Sequence, residues 1–156
     1  MKKRNLSIRN GRLIDPANGI DQVIDIHIKK GKVHTLGEAP QGFKSEQIDA
    51  TGLVVCPGLI DLCAHLREPG AEHKATIASE TRAAASAGIT TIVCPPDTDP
   101  VSDTPAVLDR IQRRANLAGF ARVLPLGALT KGLDGKQLTE MGSLKASGCV
   151  AVSNAH

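Results

Sequence analysis

Aromatic side chains are almost missing from this sequence, whose 156 residues include two phenylalanines and neither tryptophan nor tyrosine. Proteins that bind single-stranded nucleic acid stack the bases on such rings. The formal net charge of +3 adds little, because a mildly basic surface is also what an ordinary globular protein carries. We therefore expect no nucleic-acid partner.

Long apolar runs are missing as well. The basic N-terminal residues 1–4 are not followed by an apolar stretch long enough for a signal peptide or a membrane-spanning helix. The four cysteines show no Cys-x-x-Cys spacing, and they lie in or beside strand-like runs: Cys56, Cys63, Cys94 and Cys149. We expect buried, free thiols in a reducing cytoplasm and no membrane association.

The patterns that are present change near residue 56. Residues 1–56 predict a small β-sandwich-like module. Within it, Asn10-Gly11 predicts a two-residue hairpin, because both positions tolerate a positive φ and apolar residues flank them.

Alternating residues in the same module predict a further strand. Ile24, Ile26 and Ile28 share one face, and Gly31 turns the chain into residues 32–36. His27 and His34 fall on the polar faces of these strands. We expect their side chains to be solvated rather than to bind a metal.

Residues 57–156 alternate strand and helix patterns with a period of about 30 residues. Strand-like runs begin at Leu59, Ile89, Ala121 and Cys149. Glycines suited to the C′ position of a helix stand just before the later strands: Gly88, Gly119 and Gly148. These repeats predict parallel strands covered by helices, which makes the chain an α/β protein.

Three helices are predicted, and the second is the clearest. It begins with Thr104 as N-cap and Pro105 as first residue, and its apolar stripe consists of Val107, Leu108, Ile111, Ala115 and Ala118. The first helix covers about residues 73–87 and presents Ile77, Ala84 and Ala85. The third covers about residues 137–147 and presents Leu138, Met141 and Leu144.

Two architectures accommodate such units. A (β/α)8 barrel needs about 250 residues, so residues 57–156 would supply its first half, about four units. An open doubly wound sheet is the alternative. In either case the last strand would be a bare apolar edge, which favours association, so we expect an oligomer.

The stretch over residues 57–70 carries a specific resemblance. An apolar strand leads to Asp61, Cys63 and His65, and Leu66-Arg67-Glu68-Pro69-Gly70 follows. The strand is similar to the first barrel strand of the amidohydrolase superfamily, where Asp-x-His-x-His holds a divalent metal. The loop resembles that of dihydroorotases. Cys63 replaces the first histidine of the pair. The resemblance implies a partial (β/α)8 TIM-type barrel preceded by a small N-terminal β module.

The resemblance also implies a metal site, of which His65 is the one outright match. Cys63 can ligate zinc as a thiolate, or it is simply a small buried residue at a strand end. The family places a bridging aspartate near the end of residues 148–156. Asn154 and Ala155 stand there instead, with His156 as a substitute ligand.

The residues that the resemblance assigns to substrate binding also differ from the family pattern. Arg67 matches the family's arginine, whereas Asp97 replaces the asparagine of the loop after strand two; in the family both hold the dihydroorotate carboxylate. A carboxylate at this position repels that substrate and removes an amide donor. We infer that Asp97 pairs with Arg67, with two solvated loop residues as the alternative.

These differences from the family pattern lie on one face of the predicted barrel, at the carboxyl ends of the strands. The predicted strands, helices and glycine caps keep their pattern. That combination resembles the non-catalytic dihydroorotase-like subunit of bacterial aspartate carbamoyltransferase complexes. It implies an assembly role in pyrimidine biosynthesis, without a cofactor. The alternative is an active zinc-dependent dihydroorotase or related cyclic amidohydrolase that uses Cys63. A hydantoinase-like or allantoinase-like enzyme fits the Arg67-Glu68-Pro69-Gly70 loop less well.

Overall fold

The computed structural model describes residues 5–154, and the chain divides into two units between Pro57 and Gly58. Within the described residues, none of the helices combines the length and the apolar character that a membrane crossing needs. Each unit is built from its own secondary structure.

The first unit consists of short strands in two sheets. The strands are β1 (Leu6–Arg9), β2 (Arg12–Asp15), β3 (Ile20–Val23), β4 (Ile26–Lys29), β5 (Lys32–Leu36), β6 (Glu46–Asp49) and β7 (Val54–Val55). One sheet has the order β5-β4-β1-β6 and the other the order β3-β2-β7. A single turn of 3-10 helix, Pro16–Asn18, joins β2 to β3.

The hairpin predicted at Asn10-Gly11 is wrong. Asn10 has a positive φ of 61°, but β1 pairs with β4 and β6, whereas β2 pairs with β3 and β7. The chain therefore crosses from one sheet to the other. Gly11 is required by close packing, because a Cβ there would lie 2.7 Å from Val55 Cγ2 and 3.0 Å from Ala50 Cβ.

The turn predicted at Gly31 is confirmed, since β4 and β5 form an antiparallel pair and Lys30 and Gly31 have φ values of 54° and 78°. The prediction for His27 is wrong, whereas His34 is exposed as expected. His27 is fully buried, with Nδ1 2.8 Å from Ser7 Oγ and Nε2 2.9 Å from the carbonyl oxygen of Gly37. Two polar partners make the burial of this ring tolerable.

The second unit alternates strands and helices. Its elements are β8 (Leu59–Asp61), α1 (Ile77–Ser86), β9 (Ile89–Cys94), α2 (Pro105–Ala118), β10 (Arg122–Pro125), β11 (Gly127–Ala128), α3 (Met141–Ala146) and β12 (Val152–Ser153). A 3-10 turn, Lys131–Leu133, precedes α3. The parallel strands have the order β10-β9-β8, and β11 pairs in parallel with β12.

The strand order decides between the two architectures. Successive strands are neighbours in the sheet, and α1 and α2 contact each other. The fourth strand, β12, pairs with β11, which follows β10 after one residue. The fourth strand thus lies beside the third, as in a barrel, whereas in a doubly wound sheet the strand order reverses. The barrel alternative is the one that the chain follows.

The helix boundaries follow from local signals. Helix α1 begins four residues later than predicted, because Thr76 and Ser79 form a capping box in which each side chain accepts from the other residue's backbone N–H. Helix α2 begins at Pro105 as predicted, and its stripe packs into the core. The glycines at the helix ends have positive φ as expected: Gly88 83°, Gly119 69° and Gly148 86°. Helix α3 is shorter than predicted, with Leu144 buried and Leu138 58% exposed.

Candidate functional site

Two loops meet beyond the carboxyl ends of β8 and β9. The Asp99 N–H donates to the carbonyl oxygen of Pro69 at 3.1 Å. A Cβ on Gly70 would lie 2.5 Å from Asp99 Cβ, so the two backbones are in direct contact. Between them lies a cavity of about 120 Å³ whose lining includes His65, Arg67 and Asp97. The structure therefore brings together three of the four site residues taken from the resemblance.

Inside this cavity Asp97 contacts His65 and not Arg67. Asp97 Oδ2 lies 3.1 Å from His65 Nδ1, with side-chain exposures of 30% and 41%. The predicted Arg67–Asp97 pair is wrong: within residues 5–154 the Arg67 side chain forms no ion pair. Arg67 has a positive φ of 62° and an exposed side chain, and its carbonyl oxygen accepts from Ala71 N–H at 2.8 Å. Its backbone is thus held in a tight turn while its side chain remains free.

Cys63 is the fourth residue, and it is not among the residues that line the cavity. It is exposed, so the expectation of a buried thiol is wrong for Cys63, as it is for Cys56. Its N–H donates to Asp61 Oδ1 at 2.9 Å, which turns the chain out of β8. Across residues 5–154, the structure contains no group of three or more His, Cys, Asp or Glu side chains arranged to hold a metal ion. The described segment does not by itself provide a zinc site.

A second thiol borders the cavity from the core side. Cys94 is 2% exposed, and burial raises the pKa of its thiol to about 11; the charges of Asp97 and Cys63 act in the same direction, and a hydrogen bond with the Leu66 backbone opposes them. A thiol with a pKa this high stays protonated near neutrality. Cys94 is therefore a buried packing residue that supplies no thiolate nucleophile near neutrality.

Glu68 is the residue whose role the sequence did not reveal. It is 3% exposed. Its Oε2 accepts from the Ile77 N–H at 2.8 Å and its Oε1 accepts from Arg114 Nε at 2.6 Å. One carboxylate thus satisfies the first N–H of α1 and fixes α2 to the loop that carries Arg67. An acid before a helix is the signal that could have indicated this role, but nine residues separate Glu68 from Ile77.

No acidic residue stands at the end of the last strand, β12, within the described residues. Asn154 Oδ1 accepts from Thr130 N–H at 3.2 Å, and its Nδ2 donates to Thr130 Oγ1 at 3.1 Å. Asn154 therefore joins β12 to the loop after β11. Ala155 and His156, the other candidates for the ligand position, lie outside the described residues.

Fold comparison identifies the class of protein. The chain is similar to L-hydantoinase (dihydropyrimidinase) from Arthrobacter aurescens, with a TM-score of 0.80 at 24% identity over 96% of this chain and 32% of that chain. It is also similar to the crystal structure of a dihydroorotase, with a TM-score of 0.64 at 18% identity over 96% of this chain and 42% of that chain. At identities this low, the similarity establishes the fold alone, which is that of part of a TIM-type barrel.

Sequence comparison identifies the family. The model of the dihydro-orotase-like family matches residues 52–156, and the chain belongs to this family. A dihydroorotase-like protein of Pseudomonas aeruginosa is 53% identical over 150 residues, which cover 96% of this chain and 36% of the relative. A dihydroorotase of Geobacter metallireducens is 51% identical over 153 residues, with 96% and 36% covered. The chain thus spans about a third of the length of the curated relatives it matches.

Proposed function

We propose that this chain is part of a dihydroorotase-like protein that does not catalyse the dihydroorotase reaction. Its role is that of a structural or assembly subunit for aspartate carbamoyltransferase in pyrimidine biosynthesis. Asp97 carries this proposal, because it places a carboxylate in the cavity beside His65 and Arg67, where the family has an asparagine that holds the substrate carboxylate.

The charge at Asp97 opposes substrate binding. Where the family has an amide that donates to the substrate carboxylate, this chain has an acceptor with a negative charge, 30% exposed towards the cavity. Two carboxylates at hydrogen-bonding distance repel each other, and neither donates. Arg67 can still bind a carboxylate ligand, but the ligand and Asp97 would then place two negative charges beside one arginine.

The frame around the cavity supports a structural role. Buried Glu68 joins two helices to the loop that carries Arg67 through hydrogen bonds at 2.8 Å and 2.6 Å. The changes in charge therefore leave the scaffold intact. A cytoplasmic location fits the four free thiols, because exposed cysteines such as Cys56 and Cys63 persist in the reduced form in a reducing compartment.

A second candidate is an active zinc-dependent dihydroorotase or related cyclic amidohydrolase. The exposed thiol of Cys63 favours it, because an accessible cysteine at the strand end can supply a zinc ligand in place of histidine. The remaining ligands would then come from parts of the protein beyond residues 5–154. Asp97 contacts only Nδ1 of His65, so Nε2 stays available as the ligand nitrogen, and a carboxylate on the other ring nitrogen is a common partner of a metal-binding histidine.

One preparation separates the two candidates. The intact natural protein is purified without added metal, its zinc content is measured by mass spectrometry, and dihydroorotate turnover is assayed beside an active dihydroorotase. The aspartate carbamoyltransferase of the same cells is then mixed with it and followed by size-exclusion chromatography. We expect co-elution without turnover and without stoichiometric zinc. Stoichiometric zinc together with turnover would contradict the assembly role.

A further inference from the structure

The outward side of α2 carries a surface that neither the cavity nor the core explains. Val107, Ile111 and Ala115 turn one side of the helix into the core. The opposite side presents exposed arginines and apolar residues. We call this surface the arginine face: Arg82 from α1, Arg110, Arg113, Arg114 and Leu117 from α2, and Phe120 just beyond it.

The arginine face also contains exposed apolar area. Leu117 is 81% exposed and Phe120 is 48% exposed. The Cζ of Arg82 lies 5.8 Å from the centroid of the Phe120 ring, a cation–π arrangement that holds the ring and the charge together. An exposed leucine, an exposed aromatic ring and several arginines on one surface give the composition that is enriched in protein interfaces.

The charges of the arginine face are only partly balanced within the chain. Arg114 Nε lies 2.6 Å from Glu68 Oε1, and Arg110 lies 3.6 Å from Glu72 Oε1. Across the described part of the chain, Arg82 and Arg113 form no ion pair with an acidic side chain. Asp109 is the acidic residue of α2, and it does not come within ion-pair distance of Arg113. Two cations therefore remain for a partner.

The charges of the arginine face indicate which kind of partner it can bind. A second copy of the chain would place like charges opposite each other across a two-fold axis, which is unfavourable. A nucleic-acid backbone would match the arginines, but it offers no apolar surface to cover Leu117. A protein surface with acidic groups around an apolar centre fits both features.

We propose that the arginine face docks an acidic protein surface with an apolar centre, carried by the assembly partner of the proposed function. This inference rests on the proposed function and adds the surface that is used. Arg110 and Arg114 also hold Glu72 and Glu68, the acids that fix the loop beside the cavity. The docked partner therefore contacts the same side chains that hold the altered site in shape.

The test uses the intact natural protein and purified aspartate carbamoyltransferase of the same organism, with affinity measured by calorimetry. Arg113→Glu and Leu117→Ser each change the arginine face at a residue without a role in the cavity. Lys145→Glu and Leu138→Ser are matched controls, because both residues are exposed and lie elsewhere in the second unit. Far-ultraviolet circular dichroism and Tm establish that every variant is folded.

We expect each variant of the arginine face to bind at least about tenfold more weakly, and the affinity of the unmodified protein to fall with added salt. Arg113→Lys should retain most of the binding. If the unmodified protein does not bind, the assembly role and this inference fail together. If it binds and the arginine-face variants bind equally well, only this inference fails. Binding that nuclease abolishes, or arginine-face variants that change the protein's own oligomeric state, would also overturn it.

Discussion

Asp97 and Glu68 are carboxylates in neighbouring loops, and their surroundings give them different roles. Asp97 is 30% exposed and contacts His65 in an open cavity, so it changes the chemistry of the site at little cost to the fold. Glu68 is 3% exposed and forms two short hydrogen bonds. The site and its frame therefore respond to different substitutions.

Glu68→Ala should destabilise the chain. The change leaves the N–H of Ile77 without its acceptor inside the protein and removes the partner of Arg114 Nε. Loss of a buried charged acceptor costs about 2–3 kcal/mol, which urea unfolding followed by circular dichroism can measure.

Glu72→Ala is the control for this prediction. Glu72 also pairs with an arginine of α2, but at 3.6 Å and with 42% of its side chain exposed. We expect a much smaller change in the free energy of unfolding. Equal effects of the two substitutions would contradict the role assigned to Glu68.

The buried thiol of Cys94 should make the folded chain less stable in alkaline solution. Burial raises the pKa of its thiol from 9.0 to about 11, so between these values the folded state keeps a proton that the unfolded state has released. The free energy of unfolding therefore falls as pH rises from 9 and levels off above 11. Since one pKa unit is about 1.4 kcal/mol, the loss is about 2–3 kcal/mol.

Urea unfolding at several pH values between 8 and 11 measures this slope, and Cys94→Ala provides the comparison. The variant lacks the thiol, so its pH slope should be shallower than that of the unmodified chain, whatever its stability at pH 8. All other ionisable groups are the same in both proteins, so the difference between the two slopes isolates Cys94. Identical slopes would show that the thiol does not carry the effect.

At the scale of loops and helices, replacing each of two glycines by alanine should change the stability of the chain in opposite directions. Gly70 has a φ of 111°, and its Cβ position lies 2.5 Å from Asp99 Cβ and 2.8 Å from the Asp99 carbonyl oxygen. Gly70→Ala should destabilise the chain by about 1–3 kcal/mol, because the two loops would have to separate.

Gly142 lies in α3 with no heavy atom within 4 Å of its Cβ position. Gly142→Ala should stabilise the chain by about 0.5–1 kcal/mol, since alanine restricts the unfolded chain and has the higher helix propensity. Both substitutions are measured by thermal unfolding. A stabilising Gly70→Ala would mean that the two loops are not in backbone contact.

The elements that the sequence predicts well depend on neighbours in the chain. Helix α2 has its N-cap and first proline at Thr104 and Pro105 and an apolar stripe over the next three turns, and Gly119 ends it with a φ of 69°. The turn at Gly31 is equally local. Such signals act over a few residues, so they can be interpreted without tertiary structure.

The errors arise where a distant residue decides the outcome. Gly11 is a glycine because Val55 approaches it, and His27 is buried because Ser7 and Gly37 supply partners. Contacts between distant residues also decide the arrangement of the candidate site. The resemblance placed His65, Arg67 and Asp97 in one cavity, but which of them pair depends on loop geometry that the sequence pattern does not contain. The partner of Glu68 on α2 lies 46 residues away.

At the scale of the whole molecule, the second unit leaves apolar surface open along one strand. Within the described residues β8 is at the edge of its sheet, and Leu59, Ile60 and Leu62 are 57%, 61% and 73% exposed. An apolar edge strand invites pairing with another chain. The 156-residue chain should therefore self-associate in a concentration-dependent manner.

Ile60→Lys should reduce that self-association, because a lysine on an edge strand opposes strand pairing through its charge and its hydration. Light scattering coupled to size-exclusion chromatography, over a range of protein concentrations, measures the mean mass. Leu117→Lys is the matched control: it adds the same charge at a more exposed leucine, 81% exposed, but on a helix whose backbone groups are already paired. We expect Ile60→Lys to lower the mean mass and Leu117→Lys to leave it unchanged. If the two variants act alike, net charge rather than the open edge of β8 governs association.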